Sequence, residues 1–212
     1  MATLAEIRNS IGVKLQDETF QSVPSASVDA YINDAIQFYK NQRFWFNESE
    51  ASITLNINDP ILPNIPSDFL EELDDGGLVV IYNQYNYPVF KRTSSLYDAE
   101  NIQGRGIPYI YTYRNGQFEL YYFPDQSYLL RLRYLKDYPI LSGDSASNDF
   151  TVNASNMIKY NALSRIYAES KQDDKMESYY TARADSEEAA IKRRSSTLTG
   201  TGTLTLYSNL LS

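Results

Sequence analysis

The spacing of apolar residues at the start of the chain predicts two helices. Thr3 can cap the first, and Glu6 lies three residues later, as in a capping box. One face of this helix carries the apolar residues Leu4, Ile7, Ile11 and Leu15. The second helix is predicted from Ser27 to about Trp45. Because it is rich in aromatic and branched side chains, we expect it to be buried on more than one side.

The helical period returns near the other end of the sequence and predicts a helical hairpin from about Ala154 to Ser195. Apolar residues recur at Ala154, Ile158, Ala162 and Ile166 in its first half, and at Met176, Tyr180, Ala184 and Ile191 in its second. The polar link 169–174 suits a short turn between the two helices. Residues 197–212 follow as an arm that has few helix formers and is apolar at its tip.

Between these helical ends, the pattern changes to the period of two that is typical of strands. Ile53, Leu55 and Ile57 alternate with polar residues and predict a half-buried strand. Further along, residues 78–82 and 87–92 form a predicted hairpin. Short helices are expected over 67–73 and 93–102.

Asn115-Gly116 is the strongest short-range hairpin signal in the chain. It separates two apolar alternating runs, 107–114 and 117–123, which should pair across it. A third alternating run, 128–134, follows a turn and is predicted to complete a three-stranded antiparallel meander.

These elements indicate an α+β fold. We expect a helical bundle formed by residues 1–46 and 150–196, with an antiparallel β-rich module inserted over 47–149. Together they would make a single domain over 1–196, followed by an extended C-terminal arm over 197–212.

Composition and charge exclude several classes of function. The formal net charge of −8 argues against tight, sequence-independent binding of phosphates. The chain has no cysteine and no histidine, which excludes disulfides, thiol nucleophiles, Cys/His zinc sites and Ser-His-Asp triads. We expect no cofactor, no metal site and no membrane segment, and a soluble protein without a signal peptide.

A cluster of acids is the one candidate for catalysis. Glu71, Glu72, Asp74 and Asp75 belong to a span, 59–75, that has six acids and no base. One interpretation is a solvated acidic loop, or an acidic face that lines a channel. The alternative is a carboxylate-dependent cell-wall glycosidase.

The basic run Lys192, Arg193 and Arg194 allows two interpretations. Cations at the C-terminal end of a helix interact favourably with the helix dipole. Alternatively, the run is a docking patch for an acidic partner, because the apolar arm follows directly.

The arm itself has apolar residues that could bind a partner or a neighbouring copy. These are Leu198, Leu204, Leu206, Tyr207, Leu210 and Leu211. Leu204 and Leu206 alternate with polar residues, so the segment is either a disordered end or a strand that adds to a neighbour's sheet edge.

Tyrosine is the one residue type in excess, with 19 Tyr and 9 Phe against a single Trp. Tyr buries a ring and keeps a hydroxyl at a wet surface, so the excess fits an extensive protein interface. A β-rich module that binds glycans or a host receptor is a further alternative.

The order of several segments resembles the head-to-tail adaptor proteins of tailed bacteriophages, also called connector, head-completion or tail accessory proteins. The matching segments are helix 28–39 with Phe44-Trp45-Phe46 after it, Ile65-Pro-Ser-Asp-Phe69, Glu119-Leu-Tyr-Tyr-Phe-Pro-Asp125 before a strand that ends at Tyr134, and helix 156–167 with a long Ala/Glu-rich helix after it. The large β-rich insertion makes the chain look more like the adaptors of short-tailed phages.

This resemblance implies a virion structural protein and not an enzyme. It implies a homo-oligomeric ring, commonly of twelve copies, at the head-tail junction beneath the portal protein. The ring would extend the DNA ejection channel and offer a platform to the tail or nozzle protein, and the arm would reach into the portal ring. Double-stranded DNA would pass through transiently, and an acidic lining suits that passage because it repels phosphates.

Overall fold

The computed structural model describes residues 2–73, 76–96 and 104–199 and has an α+β fold, as predicted. The chain divides into two compact units. The helical unit contains the described residues 2–47 and 138–199, and the β unit contains those within 48–137. Each unit has its own buried apolar cluster.

Helix α1, Leu4–Leu15, forms as its capping box predicts. The Glu6 N–H donates to the Thr3 hydroxyl at 3.3 Å, and the Thr3 N–H donates to the Glu6 carboxylate at 3.0 Å. These two bonds satisfy N–H groups that a helix start leaves without partners. The local sequence is therefore sufficient to define this end of the helix.

Helix α2, Ser25–Tyr39, ends earlier than predicted because a buried asparagine organises the chain after it. The Asn47 side chain accepts from the Phe44 N–H at 2.8 Å and donates to the carbonyls of Gln42 and Lys40. The aromatic run Phe44-Trp45-Phe46 consequently leaves the helix axis. The prediction that it continues α2 is wrong.

Three α-helices and a π-helix follow residue 138 within the described residues: α3, Asp149–Asn153; α4, Ser155–Arg165; the π-helix, Ile166–Lys171; and α5, Asp174–Thr199. The predicted pair of helices is confirmed, and the link between them is shorter than the predicted 169–174. The π-helix continues to Lys171, and Gln172, with φ of +52°, makes the reversal. Contacts with the start of the chain hold this π-helix: the Tyr31 hydroxyl donates to Glu169 at 3.1 Å, and Lys171 donates to the Ser22 hydroxyl at 2.8 Å.

Aromatic rings fill the core of the helical unit. Phe150 on α3 makes edge-to-face contacts with the rings of Phe44, Phe46 and Tyr138, with centroids 5.1–6.0 Å apart. Edge-to-face geometry is favourable because it joins a ring's positive edge to another ring's negative face. The aromatic residues after α2 therefore have a packing role.

The β unit contains two sheets that share one apolar core. The first has the strand order β1-β8-β3-β4, with β2 also paired to β8, and the second has the order β5-β6-β7. The strands are β1, Glu48–Leu55; β2, Phe69–Glu72; β3, Leu78–Tyr82; β4, Tyr85–Pro88; β5, Phe90–Lys91; β6, Ile110–Arg114; β7, Gln117–Tyr121; and β8, Tyr128–Lys136.

The Asn115-Gly116 hairpin is confirmed, but the predicted meander is wrong. Strands β6 and β7 pair in the expected register, with Arg114 opposite Gln117. Strand β8 does not continue that sheet, because the outer edge of β7 already has a partner: the Leu62 N–H donates to the Phe118 carbonyl at 3.0 Å, and the Leu120 N–H donates to the Pro60 carbonyl at 2.8 Å. Strand β8 pairs with β1, β2 and β3 instead.

Two other predictions in this unit need correction. Residues 69–72, predicted as part of a short helix, form β2, because β8 offers them an edge. The second predicted hairpin strand, 87–92, is divided: β4 pairs with β3, whereas β5 lies parallel to β6 in the other sheet. The predicted helix 93–102 falls largely on residues outside those described, and Ile57 lies beyond the end of β1.

Candidate assembly surface at the end of the long helix

The basic run on α5 is divided by its local contacts. Lys192 forms an i,i+4 ion pair with Glu188, with Nζ 2.5 Å from the carboxylate oxygen. The Arg194 guanidinium lies over the ring of Trp45, 4.5 Å from its centroid. Lys192 and Arg194 therefore already have partners within the helical unit, so they are less available to bind an acidic partner.

Arg193 is the cation of this run that the described residues leave without an ion pair. It lies on the exposed side of α5, beside a shallow depression whose other lining residues are Ala190, Arg194, Thr197 and Leu198. The Leu198 side chain is 58% exposed. An unpaired guanidinium next to exposed apolar carbon is suited to bind a carboxylate together with an apolar side chain.

The contact between Trp45 and the end of α5 was not predicted. The backbone N–H of Trp45 donates to the Ser195 hydroxyl at 3.2 Å, and that hydroxyl donates to the Ile191 carbonyl at 3.1 Å. These bonds hold the end of α5 against the aromatic run that follows α2. The one feature of the sequence that pointed to this region was its single Trp, within Phe44-Trp45-Phe46. Trp45 and Arg194 are far apart in the sequence, so nothing in the sequence indicated that they are in contact.

Helix α5 extends further than predicted, to Thr199, so Leu198 belongs to a helix and not to the arm. The Thr197 hydroxyl donates to the Arg193 carbonyl at 3.0 Å, which is a side-chain bond compatible with helical backbone. The other predicted arm residues, Leu204, Leu206, Tyr207, Leu210 and Leu211, lie outside the described residues.

Of the acidic candidates, the two that the structure describes, Glu71 and Glu72, do not form a catalytic pair. Glu71 and Glu72 are neighbours on β2, so their side chains leave opposite faces of the sheet. Glu72 is buried and ion-paired with Lys91, whereas Glu71 is exposed. A glycosidase needs two carboxyl groups that face one substrate from a fixed separation. Asp74 and Asp75 lie outside the described residues.

A small cleft with partly polar walls lies between α1 and α4. Its lining includes Glu6, Ser10, Asn156 and Lys159. Partial burial lowers the pKa of the Lys159 ammonium, which donates to the Asn156 side chain at 2.8 Å. Because this lysine is tied to its own helix and Glu6 serves the α1 cap, the cleft contains no group arranged for catalysis.

The described part of the chain has neither a metal-binding cluster of acids nor a membrane-spanning helix. No group of three or more Asp or Glu side chains there is arranged to hold a metal ion. No helix in that part has the length and apolar character needed to cross a membrane.

A protein family matches nearly the whole chain. The model of a family described as SU10 adaptor protein matches residues 2–205. No curated protein matches the sequence. The family match spans both units as well as the surface at the end of α5.

Proposed function

The chain belongs to the SU10 adaptor protein family, and on that premise we propose that it assembles as a ring beneath the capsid portal and connects the head to the tail. The family is one of bacteriophage structural adaptors and not of enzymes, so the protein is a structural component of the virion. The observation that carries the proposal is the match over residues 2–205.

The ring would have about twelve copies at the head-tail junction and would extend the channel through which DNA leaves. Its partners would be the portal protein above and the tail or nozzle protein below. The distribution of charge supports a role as a conduit. Residues 48–137 contain 13 acidic and 7 basic residues, against 14 and 12 in the rest of the chain. An acidic lining would let double-stranded DNA slide, because it repels phosphates.

The end of α5 supplies the portal-docking surface in this proposal. Arg193, which has no ion pair among the described residues, offers its guanidinium to an acidic side chain, and Leu198 adds exposed apolar area. Lys192 and Arg194 support this surface through their contacts with Glu188 and Trp45. Short-tailed phages remain the proposed source, because the β unit is a large part of the chain.

Measurement of particle mass, with and without the portal protein of the same phage, tests the ring. We expect the purified chain and the portal to co-assemble into a complex that contains about twelve copies of the chain. If the chain remains monomeric and unbound at concentrations at which the portal is intact, the proposal is wrong.

A charge reversal tests the docking surface. Arg193→Glu should weaken portal binding by at least about tenfold, because it places a carboxylate where the proposal needs a cation. Lys175→Glu is the matched control, since it makes the same charge change on an exposed residue of the first turn of α5. Equal binding by the two variants would exclude the end of α5 as the docking surface.

A further inference from the structure

Strand β1 presents a long outer sheet edge. Residues 49–55 pair with β8 on one side, and no described backbone group pairs with them on the other. This stretch contains no proline, so each of its residues keeps an N–H group. An edge of this kind is a template for one more strand.

Two other sheet edges differ from that of β1. The outer edge of β7 is covered by the segment 60–62 through two backbone hydrogen bonds. All four residues of β4 are exposed, so a strand added there would find no buried face, and Pro88 removes one N–H group. Strand β1 combines an unpaired edge with a buried face.

The two faces of β1 have opposite character. Ile53 and Leu55 point into the core of the β unit and are 6% and 0% exposed. Ser52 and Thr54 point to the other face and are exposed. A strand that continues this sheet therefore needs apolar residues at alternate positions on the core side and small polar residues on the other side.

The segment Thr203-Leu-Thr-Leu-Tyr207 has this pattern. Leu204 and Leu206 would continue the apolar face beside Ile53 and Leu55, and Thr203 and Thr205 would continue the polar face. Gly200-Thr-Gly202 separates this segment from α5. These three residues could span about 10 Å when extended.

We propose that residues 203–207 of one copy add as a strand to the outer edge of β1 in the next copy. This inference rests on the proposed ring, because a closed ring requires contacts in which each copy binds its neighbour through two different surfaces. A donated strand and an accepting edge are such a pair. Main-chain hydrogen bonds would provide the affinity, and the two leucines would set the register.

Disulfide trapping tests the pairing directly, since the chain has no cysteine of its own. One set of full-length copies carries Ser52→Cys or Thr54→Cys, and a second set carries Thr203→Cys or Thr205→Cys. The sets are mixed in all four pairs and oxidised, with and without portal. Facing residues on paired strands lie within the Cα separation that a disulfide needs. At least one pair should give a covalent dimer on a non-reducing gel.

The matched control places the acceptor cysteine on the other exposed edge, as Asn86→Cys on β4. Trapping on β1 should exceed trapping on β4 by at least about tenfold. Equal yields would show random collision and would overturn the inference. A chain that carries Thr54→Cys together with Thr205→Cys and closes on itself as a monomer would also overturn it.

Failure of this inference can be distinguished from failure of the proposed function. Rings on the portal without trapping would overturn the β1 contact and leave the ring intact. Trapping between copies without portal binding would support the β1 contact and contradict the proposed docking on the portal protein.

Blocking the edge provides a second readout that does not depend on oxidation. Ser52→Lys with Thr54→Lys should weaken association between copies at least about tenfold, because lysines on an exposed edge oppose strand addition. Asn86→Lys on β4 should leave association unchanged. If the two variants behave alike, strand addition at β1 is excluded.

Discussion

The two units of this protein join their non-adjacent segments in different ways. In the helical unit, side chains make many of the connections: the buried Asn33 accepts from the Leu141 N–H at 2.8 Å, and the half-buried Gln37 donates to the Tyr138 carbonyl at 2.9 Å. In the β unit, backbone groups do so, as in the bonds from Leu62 to Phe118 and from Arg133 to the Gly77 carbonyl.

This difference follows from how each element uses its own backbone. An α-helix bonds most of its N–H and C=O groups internally, so away from its ends side chains attach a loop or another helix. At the start of α1 backbone groups also take part, where the Leu4 and Ala5 N–H groups donate to the carbonyls of Ala146 and Asp144. A strand directs its backbone groups sideways, so any extended segment can pair with it. Polar substitutions should therefore be costly in the helical unit, whereas the β unit should be sensitive mainly to the volume of its core.

Truncation of a core ring should have the largest effect, and it should be similar in the two units. Phe150 and Phe118 are both fully buried. Phe150→Ala and Phe118→Ala should each lower the free energy of unfolding by about 3–5 kcal/mol, because both leave a cavity. Urea unfolding followed by circular dichroism measures this. A much smaller loss in either unit would contradict the picture of two equally packed cores.

Removal of a buried polar side chain should separate the units. Asn47 is fully buried and bonds three backbone groups after α2. Asn47→Ala should cost about 2–3 kcal/mol, because the Phe44 N–H loses its acceptor. In the β unit, Thr112 is equally buried, but its hydroxyl oxygen lies 3.4 Å from that of Ser94, which is long for a hydrogen bond between hydroxyls. Thr112→Val should therefore change stability by less than about 1 kcal/mol. Equal losses in urea unfolding would remove the distinction.

An ion-pair comparison should give a smaller effect in the same direction. Arg8 binds both carboxylate oxygens of Asp29, at 2.7 and 2.8 Å, and also binds Asp144. Arg8→Met should cost about 1–2 kcal/mol, since Arg8 joins three segments and is mostly buried. Arg114→Met, which affects an ion pair with Glu119 on the adjacent strand, should cost less than about 1 kcal/mol. Thermal unfolding at low and high salt measures the loss of stability in each variant. A larger loss for Arg114→Met than for Arg8→Met would contradict this prediction.

Acid should have the smallest effect, through a carboxylate of the loop after α1. The Ser22 hydroxyl, together with the N–H groups of Gln21, Ser22 and Val23, lowers the pKa of Asp17 to about 2. The folded pKa lies below the unfolded value, so this contribution is present above about pH 4 and is lost as the pH falls towards 2. Asp17→Asn should reduce the acid sensitivity of unfolding in that range. An unchanged pH profile would exclude this role.

The sequence was sufficient where neighbouring residues supply the interaction that defines an element. The capping box places the start of α1, and Asn115-Gly116 places the β6–β7 hairpin, because in each case the bonding groups are a few residues apart. The alternation of Leu130, Leu132 and Tyr134 likewise indicated the buried face of β8. The basic run at 192–194 was also visible as a candidate surface.

The tertiary structure decided which edge each strand joins and which cation remains unpaired. The β8 sequence fits any sheet with an apolar face, and its partners follow from the covering of β7 by the segment 60–62. Residues 69–72 form a strand because β8 offers an edge, although their local pattern suited a helix. Trp45 and Glu188 engage Arg194 and Lys192, whereas Arg193 has no ion pair among the described residues. Such outcomes depend on groups far apart in sequence, whose proximity exists only after folding.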